Sequence, residues 1–176
     1  MTKTGIVYIV GFMGSGKSTA GKKLAVSMNR QFIDLDKMIE EAAGKTIPEI
    51  FETEGEDYFR VLEAKVLRNT GSLKNSIIST GGGTPCHGDN MDYMLGSGLT
   101  VYLKLTPEQL ASRLLGSTGD RPLIKNIPDN QLKDFIAEKL TLREGYYSKA
   151  HIIAEGFVLN ISVLQQAIET TLNSRE

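Results

Sequence analysis

Continuous apolar runs rich in β-branched residues recur along the chain, and stretches with helical spacing of apolar positions fill the intervals between them. Ile6-Val7-Tyr8-Ile9-Val10 is uninterrupted, so residues 5–10 read as a strand buried on both faces. A helix over 17–28 and a short second strand over 31–34 follow. Helical segments come next, roughly 37–43, 47–54 and 56–69, the last with Phe59, Leu62 and Val66 spaced to meet a core. Ser76-Ile77-Ile78-Ser79 reads as a third strand, stopped by Gly81-Gly82-Gly83. Residues 99–105 make a fourth strand, 107–115 a helix, 129–148 a long helical region, 151–154 a fifth strand and 162–172 a closing helix. Strands separated by helices predict right-handed βαβ units, hence an α/β fold whose parallel sheet is covered on both faces.

Composition narrows the picture modestly. At 176 residues the chain reads as a single domain, 1–176, long enough to bury a core. A formal net charge of −1 argues against a general nucleic-acid binder, so any anion must be met by a few placed cations. No stretch of about 18 apolar residues exists to span a membrane. The start MTKTGIVYIV lacks a cleavage-site pattern. One cysteine, Cys86, cannot make an internal disulfide, which fits a reducing cytoplasm. His87 and His151 lack metal-ligand spacing. Cys86 reads as an inert thiol and Tyr146 as packing.

Chemistry enters with Gly11-x4-Gly16-Lys17-Ser18, which lies between the first strand and the first helix. Its glycines let successive backbone N–H groups of the Gly14-Ser15-Gly16-Lys17-Ser18-Thr19 stretch turn around a phosphate, and the helix N-terminus adds its dipole. Lys17 is placed to reach the β- and γ-phosphates of a nucleotide, and Ser18 to ligate Mg²⁺. Asp34 and Asp36 lie two apart at the end of the second strand; in extended chain they face one region and invite a Mg²⁺ or a donor-rich substrate. A solvated strand end with a helix cap fits the same spacing. Arg60 and Glu63 are i,i+3 neighbours that could simply pair on a helix surface. The triple glycine sits at the carboxyl end of a parallel strand, where ligands approach open α/β sheets. Gly116-Ser117-Thr118-Gly119-Asp120, before Arg121-Pro122, reads as a surface loop of the kind that forms lids. Arg121 and Arg143 are each ordinary surface residues unless a transferred phosphate or a carboxylate needs them.

As an ordered set these segments resemble the shikimate kinases: the phosphate loop, Asp34-Leu35-Asp36, Gly55-Glu56-Asp57-Tyr58-Phe59-Arg60, Gly81-Gly82-Gly83, Arg121-Pro122-Leu123 and Arg143-x3-Tyr147. The resemblance implies a three-layer P-loop kinase fold with strand order 2-3-1-4-5, substrate-binding helices over about 37–69 and a mobile lid over about 114–127. It implies transfer of the γ-phosphoryl of ATP to the 3-hydroxyl of shikimate, a step toward chorismate and the aromatic amino acids, by a cytoplasmic monomer. Asp36 would hold the hydroxyl and act as its base. Asp34 would bind Mg²⁺ through water, with Ser18 as direct ligand. Arg60 and Arg143 would clamp the shikimate carboxylate beside the N–H groups of Gly82 and Gly83, and Glu63 would orient Arg60. Lys17 and Arg121 would stabilise the phosphoryl in flight.

The chain departs from the family pattern at Gly145, where proline is common, and at Leu114, where a second basic residue often follows the position of Arg113. With Leu114 there, Arg113 is the candidate left for the adenine side; the chain departs again at Ala154-Glu155-Gly156, where an Asp-Thr-like pair is frequent, which implies different base-side contacts. A gluconate or nucleotide kinase is the alternative. A GTPase-like switch lacks its N-K-x-D segment here.

Overall fold

The computed structural model describes residues 5–117 and 124–175. Five parallel strands form one sheet: β1 (Val7–Val10), β2 (Gln31–Asp34), β3 (Ser76–Ser79), β4 (Leu99–Lys104) and β5 (Ile152–Glu155), in the order β2-β3-β1-β4-β5. Among the described residues eight α-helices surround it: α1 (Lys17–Ser27), α2 (Leu35–Ala43), α3 (Ile47–Thr53), α4 (Glu56–Asn69), α5 (Asn90–Ser97), α6 (Pro107–Leu115), α7 (Asp129–Tyr147) and α8 (Ile161–Ser174).

Central β1 is buried throughout, so its sequence is apolar without alternation, yet the pleat still sorts its side chains. Ile6, Tyr8 and Val10 join one core with Leu35, Ile39, Phe59 and Tyr147; Val7 and Ile9 join a second with Leu24, Leu164 and Ile168. The first core lies under α2–α5 and α7, the second under α1 and α8. A third, smaller cluster places Phe12 of the phosphate loop against Leu110, Leu114 and Ile136 of α6 and α7.

Register sets the functional edge. Asp34 pairs with Ser79, and Ser79 with Ile9, so the carboxyl ends of β2, β3 and β1 finish side by side. The loops that follow them therefore open on one region.

The apolar runs located every strand to within two residues. One helix was not anticipated: α5 is a single short segment, Asn90–Ser97, holding Met91 and Met94 in the core. Eight residues with Gly96 among them are too few to establish a helical period. The three helices expected over about 37–69 are present as α2, α3 and α4. Gly145 does not stop α7, which continues to Tyr147. Leu114 is a core residue, 4% exposed, so its apolar character serves the third cluster.

Candidate active site

The phosphate loop leaves β1 and turns into α1. Gly16 stands at the N-cap with φ 89°, a left-handed conformation that disfavours side chains, and a Cβ there would meet Arg113 Nη1 at 2.7 Å. Lys17 is nearly buried and its Nζ donates to the Gly11 and Phe12 carbonyls at 2.9 Å each, which holds the ammonium across the loop mouth. Ser15 Oγ is buried with no partner among the described residues. An orphaned hydroxyl inside a cradle of backbone amides fits an anion as its complement.

Next to the loop, Ser18 Oγ donates to Asp34 Oδ2 at 3.3 Å and lies 3.2 Å from Ser79 Oγ. The extended geometry expected for the pair holds at Asp34, which ends β2, and is corrected at Asp36: Asp34 caps α2, accepting from the Asp36 N–H at 3.1 Å, and Asp36 is already in the first helical turn. Capping wins locally because it satisfies an otherwise orphaned amide. The two carboxyls nonetheless line one cleft of about 330 Å³ with Lys17, Ser18 and the glycine strap. Burial first, and then the charge of Asp34, push the Asp36 carboxyl up to about 6, with Lys17 pulling it down. Hard oxygen donors with surplus negative charge fit a divalent cation such as Mg²⁺.

Each strap glycine leaves room that a functional side chain borders. A Cβ on Gly81 would lie 3.0 Å from Asp36 Oδ1, one on Gly82 would lie 3.5 Å from Arg143 Nη1, and one on Gly83 would lie 2.9 Å from Arg60 Nη2. Among the described residues no acceptor pairs with the N–H of Gly82 or Gly83. Two arginines and two available amides thus meet on one short strap, a suitable seat for a carboxylate.

Arg60 is fixed from behind. Its Nη1 donates to Glu63 Oε2 at 2.8 Å, and Glu63 is 1% exposed. Surface pairing, the plain reading of this i,i+3 spacing, therefore does not describe the pair. Thr84 Oγ1 donates to the other Glu63 oxygen at 2.6 Å, and Asn90 Nδ2 donates to the Thr84 carbonyl. Sequence reasoning missed Thr84, Asn90 and Ser79; Ser79 meets Ser18 only when β3 lies against α1, and Thr84 reaches Glu63, with Asn90 behind it, only when the segment after β3 packs with α4 and α5. Arg143 stacks over Phe12, 5.3 Å from the ring centroid.

On the far side of the loop, a cleft of about 500 Å³ is bounded by Thr19, Lys23, Arg113 and Phe157. Arg113 donates to the Ser15 carbonyl at 3.3 Å and to the Phe157 carbonyl, and its guanidinium sits 5.0 Å from the Phe157 ring. Arg121 and the rest of 118–123, within the expected lid, lie outside the described residues. Cys86 is half-buried beside the arginines, and burial pushes its thiol up to about 11. Tyr146 is 37% exposed and is not part of the core; its neighbour Tyr147 is buried.

A family model described as shikimate kinase matches residues 13–171. The chain belongs to the shikimate kinase family. It is 46% identical over 144 residues to the shikimate kinase of Phocaeicola vulgatus, covering 82% of each chain. Its fold is that of the shikimate kinase crystal structure from Bacteroides thetaiotaomicron, with TM-score 0.88, 38% identity and coverage of 96% of this chain and 98% of that one. The shikimate kinase from Acinetobacter baumannii in complex with shikimate superposes with TM-score 0.84 at 34% identity, covering 97% and 94% of the two chains. Membership of the shikimate kinase family accounts for both the sheet order and the ordered run of site segments.

Proposed function

We propose that this chain is a shikimate kinase that transfers the γ-phosphoryl of ATP to the 3-hydroxyl of shikimate, giving shikimate 3-phosphate and ADP. The observation that carries the reading is the strap, Gly81-Gly82-Gly83, on which Asp36, Arg143 and Arg60 converge within reach of the phosphate loop. One end of the cleft suits phosphate and the other a small hydroxylated acid.

In this reading the loop amides of 14–19 and Lys17 hold the β- and γ-phosphates. Lys17 exchanges its two carbonyl partners for phosphate oxygens. Arg60 and Arg143 pair with the shikimate carboxylate, joined by the N–H groups of Gly82 and Gly83. That grip places the 3-hydroxyl at Asp36, whose carboxylate accepts the proton as the hydroxyl oxygen bonds to the γ-phosphorus and the bond from phosphorus to the ADP oxygen breaks. Positioning supplies most of the rate in such transfers, because little covalent chemistry falls to the protein. Arg121, on the lid, adds a cation to the phosphoryl in flight and closure excludes water. Ser18 would hold Mg²⁺ directly and Asp34 through water; the ion, when bound, would neutralise charge on the phosphate oxygens. The enzyme works as a single-domain, cytoplasmic monomer in the path to chorismate and the aromatic amino acids. Its partners are ATP and shikimate, with neither nucleic acid nor membrane; among the described residues no helix is long and apolar enough to cross one.

ADP release tests the assignment, measured with shikimate, gluconate, nucleoside monophosphates and no acceptor. Turnover should require shikimate. Acceptor-independent hydrolysis, or faster turnover with gluconate, would overturn it.

A further inference from the structure

Tyr147 ends α7 and is fully buried. Its hydroxyl donates to the Gly82 carbonyl at 2.5 Å, and its ring packs on Tyr102 with centroids 5.0 Å apart. None of the roles assigned above uses that bond, although it ties the last turn of a long helix to the middle of the glycine strap. The strap is tightly seated there: a Cβ on Gly82 would stand 3.3 Å from the Met13 nitrogen in the phosphate loop and 3.5 Å from Arg143 Nη1.

A peptide unit is a rigid plane, so whatever fixes the Gly82 carbonyl also fixes the direction of the following N–H, that of Gly83. Arg143 lies one helical turn before Tyr147, and residues four apart share a helix face. A single turn of α7 therefore carries one arginine of the clamp and a hydroxyl that sets the orientation of one of its amides. A strap of three glycines has no side chains with which to hold itself, and conformational freedom there must be removed from outside. The companion tyrosine is built differently. Tyr102 donates to Glu144 Oε2 at 2.8 Å and makes no hydrogen bond to the strap among the described residues.

We propose that Tyr147 is a positioning residue for the acceptor: by holding the Gly82 carbonyl it aims the Gly83 N–H at the substrate carboxylate, in register with Arg143. This rests on the shikimate-kinase reading above, and the test separates the two. Steady-state constants for shikimate and ATP are measured for the wild type, Tyr147→Phe and Tyr102→Phe, with shikimate methyl ester as a second acceptor and circular dichroism to follow folding.

Tyr147→Phe should raise the shikimate KM about tenfold, the scale of one aligned hydrogen bond to a charged group, with the ATP KM within about twofold of wild type. The methyl ester, which lacks the charge, should lose much less, so discrimination between acid and ester narrows. Tyr102→Phe should leave the shikimate KM unchanged. A shikimate KM within about twofold of wild type in Tyr147→Phe overturns the proposal, and so do equal losses for acid and ester. Failure of Tyr147→Phe to fold while Tyr102→Phe folds would make the hydroxyl a stability element and overturn it as well. Absence of shikimate-dependent turnover in the wild type would instead defeat the functional reading itself.

Discussion

At Asp36 the folded chain holds its proton more tightly than an unfolded chain would, because the carboxyl is dry and Asp34 is near. A carboxyl raised from 3.8 to about 6 makes the folded state lose stability as pH rises between those values, with no further change above. Asp36→Asn removes that loss. Its melting temperature should therefore exceed that of the ligand-free wild type at pH 8, and the gap should close toward pH 4. The same substitution should lower kcat at least about a hundredfold while the ATP KM holds, since a base or an anchor for the hydroxyl is gone. Thermal melts across pH, paired with ADP release, check both; a variant less stable at pH 8, or one with normal turnover, would remove Asp36 from this role. Arg60 offers a second contrast. Arg60→Lys keeps the charge but loses the planar fork that meets Glu63 on one side and a carboxylate on the other. The shikimate KM should rise about tenfold with the ATP KM unmoved; a parallel rise in both would place Arg60 with the fold or the nucleotide.

Among the elements, the strap after β3 is where a glycine's missing Cβ has the clearest functional use. Gly83 has φ −87°, open to any residue, so Gly83→Ala meets no backbone strain. Its new methyl would instead press on the Arg60 guanidinium, the movable end of a side chain. The expected result is a raised shikimate KM with a melting temperature within about 2 °C of wild type. Gly98→Ala is the converse, because its methyl would stand 2.8 Å from the Ile6 carbonyl at the start of β4. That contact cannot yield without moving β1, so about 1–3 kcal/mol of stability should be lost with substrate KM values intact in the folded fraction. Kinetics and melts on the two variants check the division. These contrasts also mark what could be read in advance. The strands were legible because β1, β3 and β4 are almost wholly buried: β1 is apolar throughout, and β3 and β4 carry apolar residues at their centres. The burial of Glu63 was not, because it depends on Thr84, which only tertiary folding brings within 2.6 Å. At Asp34 the spacing left two readings open, and local hydrogen bonding selects the cap, with Asp34 still extended and Asp36 already helical. The phosphate loop, Asp34, Asp36 and the strap nonetheless share one cleft, since loops at the carboxyl ends of parallel strands share an edge whatever their local conformation.

Across the whole molecule, the sheet separates two cores, and the site is assembled where their loops meet. Helices α2, α4 and α7 carry Asp36, Arg60 and Arg143 over the first core, while α1, α6 and the turn holding Phe157 bound the cleft proposed for the nucleotide beside the second and third. A ligand that bridges these parts binds the folded chain alone, so it adds RT ln(1 + [L]/Kd) to stability, about 2.7 kcal/mol at a hundredfold excess over Kd. In a chain of this size one kcal/mol moves the melting temperature by about 2–4 °C, so saturating shikimate should raise it by roughly 5–11 °C. Gluconate at the same concentration should give well under half of that shift. A net charge of −1 supplies no general attraction for anions, so any selectivity between these two acids must come from the placed groups. Both acids offer a carboxylate to Arg60 and Arg143, but only the ring presents a hydroxyl at a fixed distance from it. Melting curves with each acid, for wild type and Arg60→Lys, decide the matter. A large shikimate shift that Arg60→Lys abolishes places recognition at the strap. Equal shifts from the two acids would mean that the arginines grip a carboxylate without reading the ring, and the acceptor specificity would then have to reside in Asp36 and the geometry of transfer.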